Sequence, residues 1–409
     1  MLMLQCYDSD QIQEARLKMS KKIGLLTIHK VKNYGAVLQG YALQQTINSL
    51  GVKCEIIDLL RPEHKDYIST PKSTPLQSYF NMSNVPKSSW YISIKKWLKN
   101  KHEIIVKKKS ENNFNLFDKQ YLTYSKNKYH SVDELYAATL GYDAVVVGSD
   151  QVWNPTFKLN PEPYFLTFLE KGVPRIAYAP SFGISALNED VYEQYKEWIK
   201  NISYLSVREK HGASLIKELT GRDAKVVLDP TLLLSAEQWS RIAKKTEYEK
   251  PYIFCYVLLN DIAIEELCNY LKKYTGYHVY IIRLHPRLIE SDFKAVNDAG
   301  PLEFLGWIRN AEMVITNSFH GMLFAINMQK PFYVVLDNKN NNSRNSRFEN
   351  ILELLDMKDR LWRLGDAFPE SKKIEISFDN AAQVLTVERK KSLEFLTSAI
   401  FDSIKEQIP

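Results

Sequence analysis

Short apolar runs, each ending abruptly in polar residues or glycine, recur along most of this chain. In the first half, the run at 142–147 ends at 148–150 (Gly-Ser-Asp), and the run at 204–207 ends at Arg208. Segments with helical spacing lie between such runs. Strands that alternate with helices form parallel sheets covered by helices on both faces, so this pattern constrains the chain to the α/β class.

The second half repeats the pattern, with apolar runs at 252–259, 278–282, 313–315 and 332–336. At 409 residues, the chain exceeds what one hydrophobic core usually supports. We therefore predict two Rossmann-like, doubly wound domains that face each other across a cleft. Ligands of such sheets bind at the carboxyl ends of the strands, so the cleft is the predicted site.

The predicted boundaries divide the chain into four parts. Residues 1–21 form an N-terminal extension, and residues 22–228 form the N-terminal α/β domain. Within that domain, 62–130 is interpreted as a basic insertion. Residues 229–378 form the C-terminal α/β domain. A final helical segment, 379–409, is predicted to pack back on the N-terminal domain.

Composition and cysteine content predict a soluble cytoplasmic protein. Hydrophobic residues make up 45% and charged residues 25%, as in ordinary globular proteins. No apolar run is long enough to span a membrane, and the N-terminus lacks a secretion signal. The four cysteines are scattered, with no CxxC pair and no metal-ligand spacing, which suits a reducing compartment.

The segment between Pro86 and His130 carries eleven lysines, interleaved with tryptophans and aliphatic residues. A basic amphipathic segment of this kind can lie on the anionic inner face of a membrane. The alternative is a solvated helical insertion whose apolar stripe packs on its own domain. Peripheral membrane contact is therefore one of two open interpretations. Nothing in the segment matches a nucleic-acid-binding module, so no nucleic-acid partner is expected.

Two turns in the first half carry residues suited to binding a sugar. Asn33, Tyr34 and Gly35 follow the first strand, where an amide and a flat aromatic ring stand at a helix entrance. Helix capping with one packed aromatic is the alternative explanation. There is no GxGxxG motif, so the dinucleotide-binding fingerprint is absent.

The second turn groups Asp150, Gln151, Trp153 and Asn154 directly after a buried strand. Loops that hold a carboxylate, amides and an aromatic ring on a rigid sheet edge tend to bind ligands. Asp150 can accept a proton from a substrate hydroxyl, or it can cap the following turn.

Cationic residues also follow strands. Arg208 opens a helix, where a guanidinium complements a phosphate or a carboxylate. The structural alternative is an ion pair of Arg208 with Glu209 or Asp229. Further cationic candidates lie in the second half: Arg283, His285, Arg344 and Arg347. Of these we favour Arg347, because it lies nearest a helix entrance.

The segment 311–321 combines several signals. Its apolar strand breaks into Asn-Ser-Phe-His-Gly, and helical spacing then resumes. A strand, tight turn and helix leave backbone N–H groups and the positive end of a helix dipole facing an anion. His320, in this turn, has the side chain most easily poised for proton transfer near neutral pH. The alternative is a structural histidine at an ordinary helix start.

Taken together and in order, these segments resemble the polysaccharide pyruvyl transferase family. The similarity covers about residues 22–360, and its motifs are NYGAVLQ at 33–39, YALQ at 41–44, VGSDQVWN at 147–154, APSFG at 179–183, SVRE at 206–209, LDPT at 228–231 and TNSFHG at 316–321. The resemblance implies a GT-B-like fold, phosphoenolpyruvate as co-substrate, and no metal or other cofactor. It implies transfer of the enolpyruvyl group to two sugar hydroxyls as a ketal, with release of phosphate, in the synthesis of bacterial surface polysaccharides. The implied acceptor is a sugar, with a polyprenyl-diphosphate-linked oligosaccharide as one form.

By the same resemblance, Arg208 matches the family's phosphate-binding arginine, and His320 matches its catalytic or donor-binding histidine. Some members carry Arg-Leu-His where this chain has Ser318-Phe319-His320, so Arg347, Arg344 or Arg283 is expected to replace that charge. The predicted catalytic residues are His320, Arg208 and Asp150, with Glu209 as an alternative base. The predicted donor-binding residues are Arg208 of the N-terminal domain and, on the C-terminal side, Ser318, Phe319, His320, Gly321, Arg347 and Arg283. The predicted acceptor-binding residues, on the N-terminal side, are Asn33, Tyr34, Gly35, Gln151, Trp153 and Asn154.

Two other functions are open at this point. One is a nucleotide-sugar-dependent glycosyltransferase of the GT-B type, which a nucleotide sugar, but not phosphoenolpyruvate, would stabilise against heat. The other is a non-catalytic glycan-binding protein, whose glycan binding would survive the loss of both Arg208 and His320.

Overall fold

The computed structural model contains two parallel sheets in the part of the chain that it describes. The described residues are 21–74, 76, 95–156, 159–184, 186–249, 251–258, 262–283, 292–336, 345–370 and 374–405, with side chains from 108 onward in the segment that begins at 95. All strand pairs within the two sheets are parallel. This architecture confirms the predicted fold class of two doubly wound α/β domains.

The first sheet has the strand order β3-β2-β1-β4-β5-β6-β7. Its strands are β1 (Lys22–Leu26), β2 (Lys53–Leu59), β3 (Tyr124–Tyr129), β4 (Ala144–Val147), β5 (Arg175–Ala177), β6 (Tyr204–Val207) and β7 (Lys225–Val226). The second sheet has the order β10-β9-β8-β11-β12-β13. Its strands are β8 (Tyr252–Val257), β9 (His278–Arg283), β10 (Lys294–Ala295), β11 (Met313–Thr316), β12 (Phe332–Leu336) and β13 (Leu361–Arg363). In each sheet the strand order reverses beside β1 or β8, which is where ligands of doubly wound sheets bind.

Helices connect these strands and cover both sheets. They are α1 (Tyr34–Ser49), α2 (Lys95–Tyr121), α3 (Val132–Tyr136), α4 (Glu189–Lys200), α5 (Lys210–Thr220), α6 (Ala236–Ile242), α7 (Ile262–Thr275), α8 (Pro301–Asn310), α9 (Phe319–Asn327), α10 (Ser346–Leu354) and α11 (Asp379–Lys405). Short 3₁₀ helices lie at Pro71–Ser73, Glu162–Phe165, Pro230–Leu232 and Lys358–Arg360. Within the described ranges, no helix is both long and apolar enough to cross a membrane.

The predicted insertion at 62–130 is corrected by the structure, because its second half belongs to the first sheet. β3 pairs in parallel with β2, and α2 lies in the crossover between them. The sequence of β3 is mostly polar because it is an edge strand, and edge strands tolerate exposed lysines. The predicted membrane-contact segment lies partly outside the described residues, which omit 77–94 and the side chains of 95–107.

The described part of α2 packs against the second domain. Lys109 forms an ion pair with Asp298 at 2.6 Å, and Asn113 donates a hydrogen bond to the Asp298 carbonyl at 2.9 Å. Ser110 donates to the carbonyl of Ala299 at 2.8 Å. This end of the lysine-rich segment therefore joins the two domains.

The C-terminal helix α11 also contacts both domains. Arg389 donates to the carbonyl of Leu232 at 2.7 Å, in the first turn of the second domain. Further along the helix, the Phe395 ring centroid lies 6.4 Å from that of Tyr178, which follows β5 of the first sheet. The helix therefore packs on both sides of the connection between the domains.

Candidate active site between the two domains

The carboxyl ends of central strands from both sheets meet around one buried carboxylate, that of Asp229. Its Oδ2 lies 2.8 Å from Nη1 of Arg208, which follows β6, and 3.5 Å from Nε2 of His320, which follows β11. Its Oδ1 accepts hydrogen bonds from the backbone N–H and the hydroxyl of Thr231, at 3.0 and 2.8 Å. Asp229 lies on the connection between the sheets, so one carboxylate links an arginine of the first domain to a histidine of the second.

The charges around Asp229 keep it ionised. Burial alone would raise its pKa, but His320, Arg208 and the N–H of Thr231 outweigh burial and hold the pKa of Asp229 well below its usual range. The hydroxyl of Ser149 adds a further polar contact, with its Oγ 3.5 Å from Oδ2 of Asp229. Asp229 is therefore a permanent negative charge at the centre of the site.

Arg208 is surrounded by carboxylates. Besides Asp229, its guanidinium lies 3.5 Å from Asp150 and 3.6 Å from Glu209, and its side chain is only 1% exposed. Burial lowers the pKa of Arg208, but these three acids outweigh burial and raise it. Both ion pairs that the sequence left open, with Glu209 and with Asp229, are present. Arg208 is thus an anchor of the site whose charge is already balanced by protein groups.

The turn after β11 begins helix α9, and Ser318 is its N-cap. The Ser318 hydroxyl accepts a hydrogen bond from the N–H of Gly321 at 3.2 Å, which satisfies one of the free donors at the helix start. The first intrahelical bond runs from Met322 to the Ser318 carbonyl, so the N–H groups of Phe319 and His320 precede it. These two donors and the helix dipole make the end of α9 attractive to an anion.

His320 is buried, and one of its ring nitrogens is available for chemistry. The residue is 7% exposed, and its Nε2 has no hydrogen-bond partner among the described residues. The Asp229 carboxylate faces this nitrogen at an ion-pair distance. An imidazole that keeps a free nitrogen beside a carboxylate is suited to hold a proton and deliver it to a ligand.

Gly35 explains how the two domains fit together at this point. A Cβ atom built on Gly35 would lie 2.2 Å from Nδ1 of His320 and 2.6 Å from its Cβ. The first turn of α1 therefore packs directly on the imidazole of the other domain, and only glycine leaves room. In this way the first domain positions the histidine of the second.

Two arginines lie over the ring of Phe319. The guanidinium carbon of Arg208 is 4.6 Å from the ring centroid, and that of Arg347 is 5.4 Å from it. Arg347 lies in the first turn of α10 and also contacts the Phe348 ring, at 5.4 Å. Cation–π contact holds both guanidiniums beside the start of α9.

Two residues predicted to bind the acceptor are core residues instead. Tyr34 stacks on Phe304 of the second domain with ring centroids 4.6 Å apart, and its hydroxyl donates to the Ala299 carbonyl at 3.0 Å. Trp153 is 0% exposed, and its indole N–H donates to the carbonyl of Tyr164 at 2.8 Å. Neither ring has a face left for a sugar, because burial against other side chains uses both faces. These assignments are therefore corrected.

The remaining residues predicted for the acceptor side shape the two turns. Asn33 is the N-cap of α1, where its side chain accepts from the N–H of Ala36 at 3.2 Å. Gln151 accepts a hydrogen bond from the Asn154 side chain at 2.8 Å, which braces the loop after β4. Asp150 begins this loop with a left-handed φ of +66°, a sparsely populated conformation for a residue with a side chain. That conformation turns its carboxylate toward Arg208.

Arg283 is not brought into the cluster. Its guanidinium pairs with Glu265 of α7 at 3.1 Å, because the end of β9 faces that helix. Arg344 and His285 lie outside the described residues. Of the two described arginines predicted to replace the charge at position 318, Arg283 and Arg347, the structure brings Arg347 to the turn, beside Phe319.

Sequence reasoning missed the central role of Asp229 and did not single out Tyr256. Asp229 was noted only as an ion-pair partner and as part of the joint between domains, although an Asp-Pro-Thr turn after a strand is itself a signal. Tyr256 is hidden within the apolar run of β8, where nothing distinguishes it from a core aromatic.

In the described part of the chain, no group of three or more His, Cys, Asp or Glu residues could hold a metal ion.

Comparison with known proteins gives one family match. The sequence profile of the polysaccharide pyruvyl transferase family matches residues 33–340. No curated protein matches the chain.

Solved structures of similar shape include two UDP-GlcNAc 2-epimerases and a glycosyltransferase. The epimerase of Methanocaldococcus jannaschii has a TM-score of 0.43 at 13% identity, covering 87% of this chain and 90% of its own. The epimerase of Neisseria meningitidis has a TM-score of 0.44 at 9% identity, covering 93% and 100%. The glycosyltransferase SnogD of Streptomyces nogalater has a TM-score of 0.39 at 10% identity, covering 92% and 96%.

Proposed function

The chain belongs to the polysaccharide pyruvyl transferase family, and we propose that it moves the enolpyruvyl group of phosphoenolpyruvate onto two hydroxyls of one sugar. The product is a pyruvate ketal, and phosphate is released. The observation that carries this proposal is His320, a buried histidine with a free Nε2 that faces the Asp229 carboxylate at the start of helix α9. We assign the reaction to the synthesis of bacterial surface polysaccharides, in the cytoplasm or at the inner face of the membrane.

Phosphoenolpyruvate carries a phosphate and a carboxylate, and the site offers a distinct group for each. We propose that the phosphate binds at the N–H groups of Phe319 and His320, where the helix dipole favours an anion. Arg347, held 5.4 Å from the Phe319 ring, is the proposed fork for the carboxylate. Arg208 supports the donor site indirectly, because its own charge is balanced by three carboxylates while it holds Asp229 and Phe319 in place.

The proposed first step is protonation of the methylene carbon by His320. Asp229, 3.5 Å from Nε2, stabilises the imidazolium that delivers this proton. The adjacent carbon becomes an oxocarbenium-like centre, and one sugar hydroxyl attacks it. Asp150 is the proposed acceptor of the hydroxyl proton, with Glu209 as the alternative base.

The second step exchanges phosphate for the other hydroxyl of the same sugar. The C–O bond to phosphate breaks, and the second hydroxyl oxygen forms a bond to the same carbon, which closes the ketal. One hydroxyl proton leaves with phosphate and the other returns to His320, so atoms and charge balance. Neither step requires a metal or another cofactor.

The proposed acceptor approaches from the first domain, along Asp150, Gln151 and the entrance of α1. A lipid-linked acceptor, such as a polyprenyl-diphosphate oligosaccharide, would explain a lysine-rich segment near this entrance. Two exposed lysines of the described residues lie at that entrance: Lys32, which pairs with Glu111 of α2, and Lys109 of α2.

Carbon-13-labelled phosphoenolpyruvate provides the test. The protein is incubated with phosphoenolpyruvate labelled at the methylene carbon and with free or lipid-linked glycans. We expect release of phosphate together with a new carbon-13 methyl signal in the glycan, and loss of both with His320→Gln. Turnover of a nucleotide sugar, without any methyl signal from the labelled donor, would contradict the proposal.

A further inference from the structure

Tyr256 lies at the carboxyl end of β8, beside the turn that carries His320. It pairs with Thr316 of β11, and its backbone carbonyl accepts a hydrogen bond from the Thr316 hydroxyl at 2.6 Å. Its ring packs on the same turn, since a Cβ on Gly321 would lie 3.1 Å from Cδ1 of Tyr256. The ring of Tyr34, from the first domain, meets it edge-on with a centroid distance of 5.5 Å. Tyr256 is thus part of the wall where the two domains meet.

The hydroxyl of this tyrosine is buried and makes no hydrogen bond of normal geometry. Tyr256 is 0% exposed, and no described residue lies at a normal hydrogen-bonding distance and angle from its Oη; its polar neighbour is the side chain of Ser318, the N-cap of α9. A buried polar group without a partner destabilises a protein, and native structures pair nearly all such groups. Tyr252, four residues earlier on the same strand, shows the ordinary case, because its hydroxyl donates to the Trp307 carbonyl at 2.8 Å.

The surroundings of the hydroxyl keep it in the neutral, donating form. Burial raises the pKa of Tyr256 well above its usual value, and Tyr34 and the Asp150 carboxylate add to that rise, while the Ser318 hydroxyl acts in the opposite direction. These neighbours come from both domains. A neutral phenol is a good donor to an anionic oxygen and cannot itself repel one.

We propose that Tyr256 is a donor-binding residue whose hydroxyl gives a hydrogen bond to an anionic oxygen of phosphoenolpyruvate at the start of α9. The inference rests on the proposed function and adds to it a residue outside the sequence motifs. The ligand supplies the acceptor that the protein lacks, so the free protein carries the cost of an unpaired hydroxyl and binding removes that cost.

The test compares Tyr256→Phe with Tyr252→Phe, two substitutions that each remove one buried hydroxyl from the same strand. Tyr256→Phe is expected to weaken phosphoenolpyruvate binding between about tenfold and hundredfold, which is the effect of losing a hydrogen bond to a charged group. Its melting temperature without ligand should stay equal or rise, because no hydrogen bond is lost. Tyr252→Phe is expected to lower the melting temperature by about 1–3 °C and to leave phosphoenolpyruvate binding unchanged.

Calorimetric titration with phosphoenolpyruvate and melting curves of all three proteins give the readouts. Equal phosphoenolpyruvate affinity in wild type and Tyr256→Phe overturns this inference and leaves the proposed function standing. A melting temperature of Tyr256→Phe that falls as far as that of Tyr252→Phe also overturns it, because the hydroxyl would then have a structural partner. Absence of phosphoenolpyruvate binding by the wild type overturns the proposed function, and this inference with it.

Discussion

Among the described residues, two buried histidines, His29 and His320, each face an aspartate next to a cation, and the bonding of their ring nitrogens differs. In the first domain, Nε2 of His29 lies 3.0 Å from Oδ1 of Asp58, and Lys30 pairs with the other oxygen of that carboxylate. The second ring nitrogen, Nδ1, lies 3.0 Å from the Thr27 carbonyl. Both nitrogens of His29 are therefore engaged by fixed protein oxygens.

At the joint between the domains, His320 lies near Asp229 and Arg208 in a similar arrangement of charges. Its Nε2, however, makes no hydrogen bond to any described residue. Burial, a carboxylate partner and a nearby cation are thus common to both histidines. What distinguishes the candidate catalytic histidine from the structural one here is that its Nε2 lies at an ion-pair distance of 3.5 Å from its aspartate and makes no hydrogen bond, whereas both nitrogens of His29 lie at hydrogen-bond distance.

The largest expected effect separates the two histidines directly. We expect His320→Gln to lower phosphate release by about 10³-fold, within the range for loss of a general acid, with less than about 1 kcal/mol change in stability. His29→Gln should keep turnover within about threefold and lose about 2 kcal/mol of unfolding free energy, because it breaks hydrogen bonds to charged groups. Steady-state kinetics measure the turnover of the two variants, and urea unfolding measures their unfolding free energies. Similar losses of turnover in the two variants would contradict the assignment of His320 as catalytic and His29 as structural.

A second prediction concerns the shared carboxylate. Asp229→Asn leaves Arg208 and His320 without the charge that holds them together, so we expect a loss of about 3 kcal/mol in unfolding free energy, as for other broken buried ion pairs. Phosphate release should fall as well, since the imidazolium loses its partner. Urea unfolding at pH 7 provides the measurement. A loss below about 1 kcal/mol would show that Asp229 is not the hub of the site.

A third prediction tests the contact between the domains. Gly35→Ala places a methyl group 2.2 Å from the His320 ring, so the imidazole or the helix must move. We expect turnover to fall between about tenfold and hundredfold, as is usual when a catalytic group is displaced by about an ångström. Gly212→Ala is the matched control, because its Cβ would only reach ordinary contact, at 3.4 Å from Val207. An equal effect of both alanines would argue against the role of Gly35.

The smallest expected effect is the pH dependence of the stability that Asp58 gains from its pairing with His29. Burial would raise the pKa of Asp58, but His29 and Lys30 outweigh burial and lower it to about 2. A carboxyl group whose pKa is lower in the folded than in the unfolded chain stabilises the folded state at every pH above its unfolded pKa, which is near 4. That stabilisation is lost as the pH falls from about 4 toward 2. Asp58→Asn should therefore cost about 1–2 kcal/mol at pH 6, and the difference from wild type should shrink below pH 4.

The same titration sharpens the comparison between the two clusters. The pKa values of both aspartates are lowered, but Asp229 is bound by Arg208 at 2.8 Å and by two hydrogen bonds from Thr231 as well as facing His320, so we expect the deficit of Asp229→Asn to persist to lower pH. Urea midpoints of both variants between pH 6 and 2.5 test this order. Deficits that vanish together would mean that the two carboxylates are equally stabilised.

The positions of most buried strands were predictable from the sequence, because central strands such as β4 are uninterrupted apolar runs. The strands β3, β10 and β13 were missed. These lie at the edges of their sheets, where short or polar segments suffice and no apolar run is needed.

The site was less predictable than the fold. Parallel sheets bring the ends of their strands to one edge, and this rule was enough to bring Arg208, Asp150 and His320 near each other. It could not show which way an aromatic side chain turns, so Trp153 and Tyr34 were assigned to a ligand although they face the core. Nor could spacing reveal that Asp229 contacts residues from both domains, since contacts between distant segments leave no periodic pattern.

The position of Asp229 on the connection between the sheets limits how such proteins can be recombined. If whole domains were exchanged between relatives, a crossover before residue 229 would take the carboxylate from one parent, and a crossover after the Pro230–Leu232 turn would take it from the other. In either case a carboxylate from one lineage would have to serve an arginine or a histidine from another. Exchanges confined to the loops of one domain avoid this mismatch, because Asp229 then keeps both of its own partners.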